Sequence, residues 1–177
     1  VLAAMGAAVA KVESQRRPDP TRTSMPEFNR RLNGRKLHLS FDFATPEGRA
    51  RLRRQVSAAD ILITSARPRA FAGLGLEPEA VFAENPGLVW VAVTGYGWTG
   101  PSAGRVAFGD DAAAAGGLVA REDGEPRFLG DALADPVAGL MAAASALQAL
   151  EAGGGVLIDV AMARAAAGAA YRLGLSA

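Results

Sequence analysis

Short apolar runs alternate with longer mixed stretches along this chain, and the alternation reads as strand and helix in turn. Leu88-Val89-Trp90-Val91-Ala92-Val93-Thr94-Gly95 is the strongest strand signal. An unbroken apolar, β-branched run of this kind is what a parallel sheet buries on both faces. Asp60 to Ser65 and Val156 to Val160 read the same way, and Ala8 to Glu13 is a shorter candidate. Leu37-His38-Leu39-Ser40-Phe41 alternates, which predicts a strand with His38 facing away from its apolar residues. Between the strands lie helical patterns. Thr45-Pro46-Glu47 is a helix start, with Thr as cap and Pro at the first position. Leu52, Val56 and Ala59 then share a face. Further helices are expected over 78–84, 110–117, 136–151 and 161–173, and Leu118 to Leu129 reads as irregular or as a hairpin. Val1 to Gly6 reads as the end of a helix, stopped by Gly6. The expected fold is α/β: a Rossmann-like, mostly parallel open sheet flanked by helices, with right-handed crossovers, as one domain over 1–177.

One boundary carries a charge in an unusual place. The turn from Gly130 runs to Asp135 and Pro136, and a long Ala-, Leu- and Met-rich stretch follows. Asp135 is expected at the N-cap and Pro136 at the first helical position, where its missing N–H costs nothing. The stretch behind is apolar on nearly every face, so the helix is expected to be buried, with the carboxylate at its positive end. Most such residues are caps and nothing more, and the local pattern does not make Asp135 catalytic.

Several loops invite a ligand. Ala66-Arg67-Pro68-Arg69 and Gly95 to Pro101 each follow a strand, at the carboxyl edge where open α/β sheets bind ligands. Ser14 to Arg22 carries Arg16, Arg17 and Arg22, and Phe28 to Lys36 adds basic charge around an Asn33-Gly34 turn. Such loops are solvated surface in the bland reading and phosphate clamps in the functional one, since the guanidinium is a planar fork of donors. Gly73-Leu74-Gly75-Leu76 does not follow a strand and is not a dinucleotide loop.

Composition narrows the chemistry. Nineteen Lys and Arg against 18 Asp and Glu leave a net charge of +1, which does not suit a nucleic-acid binder. The chain holds no Cys and one His, so a thiol nucleophile, a thiolate metal site and a multi-His metal site are excluded. Catalysis is left to carboxylates, hydroxyls and amines. Leu133 to Leu150 is the longest apolar run, and its Gly139, Ser145 and Gln148 suit a core helix better than a membrane span. No signal peptide is visible, so a cytoplasmic location is the default expectation.

Read in order, the loops resemble those of the family III CoA-transferases (the CaiB/BaiF group, of formyl-CoA and carnitine CoA-transferase type), a family that also includes the α-methylacyl-CoA racemases. The resemblance is carried by Met5-Gly6-Ala7 through Lys11-Val12-Glu13, by Asp19-Pro20-Thr21-Arg22 and by Asn33-Gly34-Arg35-Lys36. It continues through Ala59 to Ile63 with Arg67-Pro68 and Leu74-Gly75-Leu76, and through Asn85-Pro86-Gly87-Leu88-Val89 with Thr94 to Gly97 and Gly100-Pro101. Gly130 through Asp135 to Gly139, with its D-x-x-x-G spacing, and Gly155 to Val160 complete it.

The resemblance implies that Asp135 is a nucleophile which exchanges CoA between an acyl-CoA and a carboxylic acid through an aspartyl-CoA thioester. It implies CoA as a substrate and no permanently bound cofactor. Arg16, Arg17, Arg22, Lys36, Arg67 and Arg105 are then candidates for the CoA phosphates. Ser65, Ala66 and Ala70 fall in the loop expected around the adenine. An interlocked homodimer or a complementing chain is implied as partner, with no nucleic acid or membrane. Family members extend further at both ends, so this chain is expected to be about half of one. A racemase is the alternative on the same fold, but Val106-Ala107-Phe108-Gly109-Asp110-Asp111 lacks the His that such enzymes carry before the small-residue helix. A non-catalytic, truncated CoA-binding domain is the third reading.

Overall fold

Val89, Trp90 and Val91 expose none of their surface, and they lie in the central strand of the three-stranded sheet. In the computed structural model, which describes residues 1–175, strand β4 (Val89–Thr94) lies between β3 (Ile61–Thr64) and β7 (Val156–Ala161), and both pairings are parallel. A central parallel strand needs apolar side chains on both faces, which is why this run reads without alternation. The chain divides into two compact units, Val1–Ala58 and Ala59–Ala177.

In the first unit, β1 (Ala10–Ser14) pairs in parallel with β2 (Leu37–Phe41), with Ala10 opposite Leu37 and Ser14 opposite Phe41. The crossover between them contains α1 (Thr21–Ser24) and α2 (Pro26–Asn33). Neither helix is evident from the pattern, and Asn33-Gly34 closes α2 instead of forming a free turn. The Gly34 N–H bonds to the Arg30 carbonyl at 2.8 Å. The reason is that α2 buries only Asn33, while Met25, Phe28 and Leu32 are exposed, so no core stripe marks it as helical. Helix α3 (Pro46–Ser57) begins as expected. The Thr45 hydroxyl accepts the Gly48 N–H at 3.0 Å, and Leu52 and Val56 are buried.

In the second unit, α4 (Arg69–Ala72) and α5 (Pro78–Glu84) connect β3 to β4. Between β4 and β7 come α6 (Gly109–Ala115), an antiparallel hairpin of β5 (Val119–Glu122) and β6 (Glu125–Phe128), and α7 (Ala134–Glu151). Helix α8 (Met162–Arg172) follows β7. The core is built from small side chains. Ala134, Ala138, Ala142 and Ala146 repeat every four residues along α7 and pack with Ala112 and Ala113, with Ala165, Ala166 and Ala170, and with Val89, Val91, Leu118 and Val160. Alanine faces let helices and sheet approach closely, and bulk comes from the strands. Helix α7 is not buried on all faces, contrary to the expectation from its composition: Leu140 is 61% and Met141 50% exposed.

The crossover sets the direction of α7. Its end leads through Gly155, whose N–H bonds to the Leu88 carbonyl at 3.0 Å, next to the start of β4. Helix α7 therefore runs against the strands, and its first turn lies toward their carboxyl edge, the edge that also carries Ser65 to Pro68 and Gly95 to Pro101. Among the described residues no helix is long and apolar enough to cross a membrane.

Candidate functional site

Asp135 does not cap α7. The helix starts one residue earlier, at Ala134, with Leu133 as the capping residue and no side chain in the cap. Asp135 thus occupies the first turn, with Pro136 behind it. The shift has a long-range cause. Ala132 holds a left-handed backbone, φ 47°, and its N–H donates to the Asp110 carboxylate at 2.8 Å. Its carbonyl in turn accepts the Asp135 N–H at 2.9 Å. Gly109 lies against this turn so closely that a Cβ there would stand 2.5 Å from the Ala132 oxygen. The residues before Pro136 are drawn into the helix by contacts with α6.

The Asp135 carboxyl is exposed and accepts no hydrogen bond among the described residues. Its proton affinity is raised above the ordinary carboxylate value, first by partial burial and then by the charges of Asp110 and Asp131. Among the described residues no amide donates to the carboxylate, so burial and the neighbouring charges outweigh the pull of the helix end on its proton. A carboxylate without hydrogen-bond donors keeps its lone pairs available, and one with raised proton affinity is the stronger nucleophile.

The glycine-rich loop after β4 is tied down from β7. The Asp159 carboxylate accepts the Thr94 hydroxyl at 2.9 Å, the Trp98 N–H at 2.9 Å and the Arg164 guanidinium at 2.7 Å. The Thr94 hydroxyl also accepts the Gly97 N–H at 3.0 Å. Trp98 stacks on Phe71 of α4 with ring centroids 5.7 Å apart, and both meet the buried Trp90 edge-on. The Trp90 indole N–H donates to the Thr64 hydroxyl at 2.9 Å, at the end of β3. The loops after β3 and β4 are thereby joined. Ser65, Ala66, Arg67 and Ala70 are all exposed beside this cluster's Phe71, and the Arg67 side chain has no partner among the described residues. Arg105 lies over the Tyr96 ring, 4.7 Å from its centroid.

The basic residues of the first unit are more heavily engaged than their composition suggests. Arg16 grips Asp42 with two nitrogens at 2.9–3.1 Å, so the phosphate-clamp reading gains nothing from it. Arg22 pairs with Glu13 at 3.2 Å and bonds to His38 Nδ1 at 3.0 Å. His38 Nε2 faces the Asn33 carbonyl at 3.2 Å, which assigns the proton to Nε2, and Lys36 donates to the Asn33 side chain at 2.9 Å. Arg22 and Lys36 are thus linked through His38 and Asn33. His38 is a strand histidine with both nitrogens used. Lys11 pairs with both Glu13 and Asp19, and Asp19 also accepts the Thr21 amide and hydroxyl.

Asp110 and Asp159 are the residues that reading the sequence missed. Asp159 carries a local signal, a carboxylate inside an otherwise apolar strand. Asp110 carries none, since its partner lies 22 residues away.

Residues 1–173 match the family described as CoA-transferase family III. The chain is 35% identical over 178 residues to succinyl-CoA–D-citramalate CoA-transferase of Chloroflexus aurantiacus, with 90% of this chain and 43% of that protein covered. It is 32% identical over 182 residues to succinate–glutarate CoA-transferase of Agrobacterium fabrum, with 92% and 46% covered. The crystal structure of a CaiB/BaiF family protein from Brucella suis superposes with a TM-score of 0.86 at 33% identity, over 98% of this chain and 50% of that one. The chain spans less than half the length of these two relatives.

Proposed function

The chain belongs to CoA-transferase family III, and on that premise we propose that it moves CoA from an acyl-CoA to a carboxylic acid, with Asp135 as the nucleophile. The observation that carries this is the state of Asp135: an exposed carboxylate that accepts no hydrogen bond among the described residues, in the first turn of a helix at the carboxyl edge of a parallel sheet. The Asp135 carboxylate attacks the thioester carbonyl and expels CoA thiolate, leaving a mixed anhydride. The thiolate attacks the aspartyl carbonyl and releases the donor acid, leaving an aspartyl-CoA thioester. The acceptor carboxylate then attacks that thioester, and the expelled thiolate takes the new acyl group, which restores Asp135. Charge is conserved at each step, because one anion displaces another.

The two relatives named above act on succinyl-CoA or succinate, so a short dicarboxylic acyl-CoA is the proposed donor class. Arg67, exposed and without a partner among the described residues, and Arg105 are the proposed phosphate contacts, with Ser65, Ala66 and Ala70 around the adenine. Arg22 and Lys36 are proposed as CoA contacts of the first unit on the family resemblance alone. We further propose that completing the site takes more chain than these residues, from a second copy or a complementing polypeptide.

Mass spectrometry tests the mechanism. The protein is incubated with succinyl-CoA and a carboxylate acceptor, and the peptide holding Asp135 is examined for a CoA adduct that hydroxylamine removes. The adduct is expected in wild type and absent in Asp135→Ala. Arg67→Ala is expected to weaken CoA binding and leave the thermal midpoint unchanged. An α-proton exchanging with deuterium without CoA transfer would instead favour a racemase, and no adduct with no CoA binding would sink both.

A further inference from the structure

We propose that Asp110 is a positioning residue for Asp135: by holding the Ala132 amide it fixes the left-handed turn from which α7 begins, and with it the place of the Asp135 carboxyl. The inference rests on reading Asp135 as the nucleophile. A non-glycine residue adopts a left-handed backbone only where its surroundings hold it. Three contacts do so here. The Asp110 carboxylate accepts the Ala132 N–H at 2.8 Å. The bare Cα of Gly109 admits the Ala132 backbone, which a Cβ would meet at 2.5 Å. The Ala132 carbonyl accepts the Asp135 N–H at 2.9 Å. Asp110 therefore reaches the backbone of Asp135 through two hydrogen bonds and one residue.

Position matters for this reaction because Asp135 must act as nucleophile at one carbonyl and as electrophile toward thiolate and acceptor. Both attacks need the carboxyl plane held, and a displacement of about 1 Å costs on the order of 100-fold in rate. Asp110 also places a negative charge near Asp135. The two effects separate by substitution. Asn at 110 keeps an acceptor for Ala132 and loses the charge. Ala loses both. Ala at 109 disturbs the turn and keeps the charge.

The full chain is studied as Asp110→Ala, Asp110→Asn and Gly109→Ala, with wild type as reference. Three quantities are followed: amide hydrogen exchange at Ala132, NMR titration of the Asp135 side-chain carbon, and the kinetics of CoA transfer from succinyl-CoA. In Asp110→Ala the Ala132 amide is expected to exchange at least about 10-fold faster while β4 amides keep their protection. Its kcat per folded molecule is expected to fall roughly 10- to 100-fold, with KM for the acyl-CoA within about 2-fold. Asp110→Asn is expected to keep the Ala132 protection and hold kcat within about 3-fold of wild type. Gly109→Ala is expected to slow transfer without moving the Asp135 titration, which both Asp110 variants shift to lower pH.

An Asp110 that only stabilises the fold would change the unfolding midpoint and leave kcat per folded molecule alone. The proposal is overturned by that result, by an unchanged Ala132 amide in Asp110→Ala, or by an Asp110→Asn variant as slow as Asp110→Ala. If wild type forms no adduct on Asp135, the transfer reading fails by itself, and the amide and carboxyl spectra decide the role of Asp110 independently.

Discussion

The Trp98 N–H donates to the carboxylate of Asp159 at 2.9 Å across 61 residues of chain. The same carboxylate takes the Thr94 hydroxyl and the Arg164 guanidinium, so one half-buried charge holds the loop that follows the central strand. Asp159→Ala strands the buried Thr94 hydroxyl and frees the Trp98 amide, at an expected cost of about 2–3 kcal/mol. Asp159→Asn is expected to cost less, because its oxygen still accepts from Trp98, although the Thr94 hydroxyl then lacks an acceptor for its own proton. Arg164→Ala should cost under about 0.5 kcal/mol, since that side chain is 70% exposed. Urea unfolding of the three variants gives the order, and a larger loss for Arg164→Ala than for Asp159→Ala would refute it.

Asp135 makes a second prediction, on pH. Its carboxyl holds its proton to a higher pH in the folded chain than in the unfolded one. Between those two values the folded state carries the extra proton, so stability falls as pH rises through the window and stays reduced above it. Asp135→Asn removes the penalty. Its thermal midpoint at pH 7 is expected to exceed that of wild type by about 1–2 °C, a small gain because the group is exposed. The gain should vanish below the unfolded carboxyl value near about 4. Calorimetry at pH 3.5 and pH 7 decides, and a variant less stable than wild type at pH 7 contradicts the direction.

Acid acts with the opposite sign on the first unit. Lys11 holds the Asp19 carboxyl far below its usual range, helped by the Thr21 hydroxyl and amide. Burial alone would push Glu13 up, but Lys11, the Asp19 amide and Arg22 outweigh it and hold it down. Their stabilisation is complete above the unfolded carboxyl range and is lost as pH falls through the depressed folded values. Lys11→Ala is expected to cost about 1–2 kcal/mol at pH 7, discounted for the partial exposure of the pairs, and to flatten the acid limb of the stability curve. An acid limb as steep as that of wild type would exclude the network as its source.

Two glycines should respond in opposite directions. Gly139 lies within α7 with nothing within 4 Å of an added Cβ, so Gly139→Ala is expected to stabilise by about 0.5–1 kcal/mol. Gly154 has φ +71°, and a Cβ there would fall 1.9 Å from the Gly87 carbonyl oxygen. Gly154→Ala should therefore cost more than about 2 kcal/mol and disturb the entry into β7. Guanidinium midpoints for both variants check the pair of signs.

What could be read from the sequence was what is written locally. Thr45-Pro46-Glu47 states a cap, a first residue and a charge, and the Thr45 hydroxyl does cap Gly48. The run from Leu88 to Thr94 states burial on both faces, and β4 has it. Asp135-Pro136 is written just as plainly and misleads, because the helix start is decided by the Asp110 bond to Ala132, which no window of sequence contains. Helix α2 is obscure for the converse reason: its two large apolar residues, Phe28 and Leu32, are exposed, and its composition reads as polar loop. Arg16, Arg22 and Arg67 are alike as cations in the sequence, and only the structure separates Arg67, without a partner among the described residues, from those held by Asp42 and Glu13.

Trp90 and Trp98 are the only tryptophans in the chain. One is sealed in the central strand and the other is half-buried in the loop tied to Asp159, with ring centroids 5.6 Å apart. Intrinsic fluorescence is therefore a built-in reporter of this one corner. Loosening the loop changes the polarity around one indole and its distance to the other, with no label attached. The first unit contains neither Trp nor Tyr, so it is dark at these wavelengths. An emission-monitored titration of the unmodified chain will follow the second unit alone, and comparing it with a backbone signal such as circular dichroism will show whether the two units melt together.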